Sequence, residues 1–99
     1  MVNLNYAYYL EIDRSYGDLA AEEINRRIAE KLKSDQIRFW ATDPGLIAKE
    51  FMYTSSIAFM PHIKGGWMAV KEGKEKVFWC DTLSRAMCAA FLEWIYVGR

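Results

Sequence analysis

Two short runs of strand formers, "WMAVK" at 67–71 and "KVFWC" at 76–80, flank a turn at Glu72-Gly73-Lys74 and constrain this chain more than any other feature. Side chains alternate along an extended strand, so Trp67, Ala69 and Lys71 share one face and Met68 and Val70 the other. On the return run Val77 and Trp79 lie opposite Phe78 and Cys80. Both faces of the hairpin therefore carry bulk, and a sheet apolar on both faces needs cover on each. The expectation is an α+β fold, a small antiparallel sheet with helices on both faces, layered as an αβα sandwich.

The cover comes from two amphipathic segments. In "LAAEEINRRIAEKL" Ala20, Ile24, Ile28 and Leu32 recur every four residues, with Ala21 beside them, which draws an apolar stripe along a helix. Asp18 is its expected N-cap, and Glu22 with Arg26 and Glu23 with Arg27 stand at the favourable i,i+4 spacing. Arg26, Arg27 and Lys31 could also present a phosphate-contacting face, but the glutamates would neutralise it. After the hairpin, Thr82 caps a second helix on which Leu83, Ala86, Met87, Ala90, Phe91, Trp94 and Ile95 form a buried stripe, with Gly98 as its stop.

Elsewhere the pattern is less regular. Residues 5–13 read as a strand, with Tyr6, Tyr8, Leu10 and Ile12 on one side and Ala7, Tyr9 and Glu11 on the other. Residues 37–40 read as a short irregular strand closed by Asp43-Pro44-Gly45, and 46–52 as a helical turn or two. Thr54, Ser55 and Ser56 offer caps for a short helix carrying Ile57, Met60 and Ile63, kinked at Pro61 and ended by Gly65 and Gly66.

Size and charge exclude several classes. A chain of 99 residues builds one core, and 53% apolar and 15% aromatic residues exceed what that core can hide, so some aromatics reach solvent and mark a partner surface or a homo-oligomer interface. Thirteen basic and thirteen acidic side chains weigh against direct nucleic-acid binding, which draws on excess Lys and Arg. The stretch holding Lys64, Lys71, Lys74 and Lys76 also carries Glu72 and Glu75 and reads as a solvated hairpin face. No run approaches the ~20 apolar residues of a membrane span. The opening "MVNLNYAYYLEID" lacks a secretory pattern, which points to the cytoplasm and to reduced cysteines.

Chemistry is sparse. A structural zinc site takes four ligands, whereas the chain has Cys80, Cys88 and His62, with no paired-ligand spacing; no metal or cofactor is expected. Cys80 lies near a helix N-terminus, where a thiolate is favoured, but no basic partner accompanies it; Cys88 sits among Ala86, Ala89 and Ala90 as a small apolar filler. His62 has Ser55, Ser56 and Asp81 available in composition, without a nucleophile-elbow motif or a phosphate loop.

Taken in order, "INRRIAEKL", "YTSSIA", "WMAV" and "DTLSRAMCAAFL" resemble the small bacteriophage proteins grouped as the phage αβα sandwich domain, over about residues 19–95. In that family a Trp-led strand precedes an Asp-Thr cap and an Ala-x-Cys-x-Ala helix, matched here by Trp67, Asp81, Thr82, Ala86, Cys88 and Ala90. Two departures stand out: Pro61, where the family continues its middle helix, and the tyrosine-rich opening through Tyr16. The resemblance implies one folded unit, a tyrosine-rich strand at 1–17 added to a sandwich-like domain at 18–99. It also implies a phage accessory product and brings no catalytic residues with it.

Together these readings lead to a non-enzymatic phage protein acting in the host bacterial cytoplasm. It would bind and inhibit a host protein complex, as an anti-CRISPR or other anti-defence inhibitor, with Tyr6, Tyr8, Tyr9 and Tyr16 as contacts. The alternative is an oligomer that sequesters a nucleotide defence signal, Trp67 or Trp79 stacking on a base and Lys64, Lys71 or Arg85 meeting phosphate. A DNA-binding regulator is a weaker third.

Overall fold

Pairing of the hairpin strands organises everything around it. The structure, a computed structural model, describes residues 10–51 and 56–95. Within them four strands, β1 (Glu11–Asp13), β2 (Ile57–Pro61), β3 (Trp67–Lys71) and β4 (Lys76–Cys80), form one sheet in the order β1-β4-β3-β2. The hairpin strands and their facing agree with the sequence pattern. Ala69 and Phe78 pair on one face with Trp67 and Cys80, while Met68 pairs with Trp79 on the other. β2, β3 and β4 are antiparallel neighbours, whereas β1 joins β4 in parallel, placing Ile12 beside Val77. The sheet is thus mixed, not wholly antiparallel.

Three helices complete the described fold: α1 (Ala21–Leu32), α2 (Pro44–Ala48), continued by a 3-10 turn at Lys49–Phe51, and α3 (Leu83–Trp94). α3 lies directly on the sheet. Its Ala86, Ala89 and Ala90 pack with Ala69, Phe78 and Cys80, and methyl-sized side chains let helix and sheet approach closely. The opposite side of α3 offers Cys88 and Phe91 to Ile24, Ile28 and Leu32 of α1 and Ile47 of α2. The layers therefore run sheet, α3, then α1 with α2. Met60, Met68, Val70 and Val77 form a separate buried cluster on the second face of the sheet, to which no described helix contributes.

Several local expectations are corrected. Ile57 and Met60 sit in a strand, not a helix: Pro61 cannot donate inside a helix, but is tolerated at the end of an edge strand, where it faces Trp67. Gly65 and Gly66 consequently form the β2–β3 turn, in which the Gly65 N–H donates to His62 O and the His62 N–H to Gly66 O. Residues 37–40 form no strand. Asp18 does not cap α1, whose N-cap is Ala20 with no side-chain bond; the Asp18 N–H is instead turned back onto Arg14 O. Glu23 takes both arginines, Arg26 at 2.6 Å and Arg27 at 2.7 Å, and Arg26 also reaches Glu30, so the expected Glu22–Arg26 pair gives way. Asp43, read as a turn residue, caps α2 by accepting from the Leu46 N–H, with Pro44 in the first turn, where its missing N–H costs nothing. Thr82 caps α3 as expected, accepting from the Arg85 N–H. The segments at 1–9, 52–55 and 96–99, with Tyr6, Tyr8, Tyr9, Ser55 and the Gly98 stop, lie outside the described residues.

Trp79 closes the second face against two glycines. A Cβ on Gly66 would stand 2.5 Å from the indole, and one on Gly17 2.8 Å from the Trp79 carbonyl oxygen. The indole N–H donates to Gly65 O at 2.9 Å. Gly66→Ala combines this clash with a left-handed backbone, φ +80°, and is expected to cost about 2–4 kcal/mol in urea unfolding. Gly65→Ala, at φ +101° with open space around it, pays only the backbone share, roughly 1–2 kcal/mol, so the first variant unfolds at clearly lower urea than the second.

Candidate functional site

Two exposed large apolar side chains stand where the sequence pattern suggested a strand, while the most exposed of this kind among the described residues, Ile63 at 79%, lies apart in the β2–β3 turn. In the loop from α1 to α2, Ile37 is 64% and Phe39 75% exposed, with Arg38 between them also in solvent. One residue on, Trp40 is only 3% exposed and Ala41 is buried. Two buried polar contacts set this boundary. The Ala41 N–H donates to Oδ1 of Asn25 on α1 at 2.8 Å, and the Cys88 thiol of α3 donates to the Trp40 carbonyl at 3.3 Å. At the other end Ser34 folds the loop over itself, its Oγ donating to Gln36 O and accepting from the Gln36 N–H. Ile37 and Phe39 are thus held outward on a loop whose far end is locked into the core.

Beside them lies an open groove of about 340 Å³. Leu32, Trp40 and Leu46 give it apolar walls, and Arg38, Lys49 and Glu50 ring it with charge. Neither Asn25 nor this loop was marked as functional by the sequence. The one legible hint was "QIRFW", a large apolar run between turn formers that no neighbouring strand claims.

The expected contact and ligand residues are dispersed. Tyr16 is half-buried, packed edge-to-face on Phe78 at 5.4 Å, and its hydroxyl donates to Glu93 at 2.6 Å. Burial and the Glu93 carboxylate together push its phenol far above the ordinary value, so this tyrosine serves the core of the fold. Trp67 packs on the α3 face and Trp79 on the opposite one. Arg14 already lies over the Trp79 ring at 4.3 Å. Lys71 donates to Ser56 Oγ at 2.7 Å, Arg85 to Leu19 O at 3.1 Å with Asp81 at 3.5 Å, and Lys64 stands in the 62–66 turn. The geometry does not bring these five residues to one pocket.

Nor do the reactive types converge. Ser56 precedes β2 and His62 follows it, so a whole strand separates them, and His62 Nδ1 is occupied by the Lys64 N–H. Among the described residues no three His, Cys, Asp or Glu side chains could share a metal ion, and no helix is long and apolar enough to cross a membrane. Lys31 is committed as well, donating to the Phe91 and Leu92 carbonyls that end α3. Comparison with family models, with curated proteins and with solved structures returns no match.

Both thiols are free and fully buried, and burial raises each to about 12 from the ordinary 9, at Cys80 against the opposing charge of Arg85, a basic neighbour the sequence pattern did not assign to it. A thiol reagent at pH 8 should leave the folded protein unlabelled and titrate two groups in denaturant. The unfolded chain loses these protons near 9 while the folded chain holds them to about 12, so their stabilising contribution is complete below 9 and lost as pH climbs through that window. Unfolding free energy measured across it should fall. Asn25→Ala strands the buried Ala41 N–H and should cost about 1–3 kcal/mol by the same urea measurement, whereas an exposed neighbour such as Glu22→Ala stays within about 0.5.

Proposed function

We propose that this chain is a non-enzymatic protein-binding module that presents Ile37 and Phe39 to its partner. The observation that carries this reading is the pairing of two large, solvent-facing apolar side chains with a buried lock, Asn25 and Cys88, behind them. Contacts held in place before binding lose little conformational freedom on binding, which is how a few side chains come to dominate an interface. The contact surface moves, on this reading, from Tyr16 to the α1–α2 loop. The finer reading, a phage accessory protein that inhibits a host complex such as an antiviral effector in the bacterial cytoplasm, is motivated by the sequence motifs alone, since no family model matches the chain. Sequestration of a nucleotide finds less support, since Trp67 and Trp79 face opposite sides of the sheet and Arg14 occupies the latter.

Affinity capture from bacterial lysate with the tagged chain, set beside the double variant Ile37→Ser/Phe39→Ser, tests this. The intact chain should retain one host complex, and the variant, with an unchanged melting temperature, should bind it at least tenfold more weakly, about 1.4 kcal/mol. Equal retention by both would remove the loop from the interface, and no retained complex would remove the reading.

A further inference from the structure

The two edges of the sheet are unlike. β1 is three residues long and carries Glu11 and Asp13, charges that discourage another strand from adding there. β2, at the far edge, is five residues long, and its Ile57, Ala58, Phe59, Met60 and Pro61 include no charge. The hydrogen bonds at its ends show which backbone groups are used. Ser56 O accepts from the Glu72 N–H and the His62 N–H donates to Gly66 O, so residues 56, 58, 60 and 62 turn toward β3, and Ile57, Phe59 and Pro61 turn away from it. Proline has no N–H to offer. The outer edge therefore presents the N–H and C=O groups of Ile57 and Phe59, which no described residue takes up, and its row of donors stops at Pro61.

We infer that this edge pairs with the same edge of a second copy of the chain, antiparallel, about a two-fold axis at Ala58. In that register Ile57 lies opposite Phe59 of the second copy, each donating to and accepting from the other, so all the outward groups of both residues find partners. Ala58 meets its own copy at a position without hydrogen bonds, where Cα atoms approach to about 4.5 Å and a methyl group fits the spacing. The half-buried side chains of Ile57 and Phe59 stand beside one another across the junction, on the face that α3 covers. Charge selects a second copy as the occupant. A two-fold axis brings the charges of a strand against those of its own copy, and β2 has none; β1 paired in the same way about Ile12 would set Glu11 against Asp13 of the second copy. The product is one sheet continued through two chains. Each dimer then carries the α1–α2 loop twice, whatever that loop binds, so this inference stands or falls apart from the reading above.

Sedimentation equilibrium of the full chain from about 5 to about 500 µM should show the mass passing from one chain to two. Ala58→Glu and Ala58→Lys should each associate at least about tenfold more weakly, because like charges meet at the axis, and an equimolar mixture of the two should recover the dimer. Ile57→Pro removes an outward N–H, leaves the ladder to β3 whole, and should also shift the chain toward monomer. Amide exchange gives an independent reading. The Ile57 and Phe59 N–H groups should exchange fast in dilute protein and slowly as its concentration rises, while those of Ala58 and Met60, inside the β2–β3 ladder, stay slow throughout. Where a substitution unfolds the chain, exchange in the unaltered protein decides. A chain that stays monomeric at the highest concentration, folded single variants that dimerise as the parent does, a mixture that fails to recover, or Ile57 and Phe59 amides protected at every dilution would each overturn the inference.

Discussion

Burial of α3 on two sides is the constraint on which the rest of the structure depends. Its alanines seat the sheet and its Cys88 and Phe91 seat α1 and α2, so a single helix belongs to both main cores. A helix apolar nearly all round has to sit inside a protein, and "LSRAMCAAFLEW" leaves Ser84, Arg85 and Glu93 as its only polar side chains. Ser84 is itself buried, Arg85 turns back to Leu19 O and Asp81, and Glu93 accepts from Tyr16. Even the end of α3 is covered from outside, by the Lys31 ammonium of α1. The burial that strips water from this amine also lowers its pKa, with Glu93 opposing the shift.

The same arrangement answers what the two cysteines do. Both are buried and free, their size lets the layers approach, and one of them has a further task. By donating to the Trp40 carbonyl, Cys88 satisfies a backbone acceptor that would otherwise be buried without a partner, at the point where the loop leaves the core. The exposure of the proposed contact loop and the packing of α3 are therefore one physical problem. Any change in the depth of α3 would be felt at Phe39.

Much of the framework was legible because it rests on local periodicity. The β3–β4 hairpin and its two faces, the stripe of α1 and the Thr82 cap each follow from spacings of a few residues. β2 looks helical in the sequence because Ile57 and Met60 lie three apart, although Pro61 argues for extended backbone before it. The candidate surface was out of reach for a different reason. Alternation over Ile37, Arg38, Phe39 and Trp40 cannot say which side chain turns inward; that is decided by Asn25, sixteen residues away, and by Cys88, forty-eight away. Exposure of this kind is a tertiary property, invisible to any window along the chain.

The central place of α3 also sets the order in which the molecule can form. A nascent chain extruded from the ribosome only as far as β4 would hold all four strands and two helices, without the helix that seats the sheet on one side and the two helices on the other. Both cores arrive together when residues 83–94 emerge, which makes assembly a single late event dominated by contacts distant along the chain.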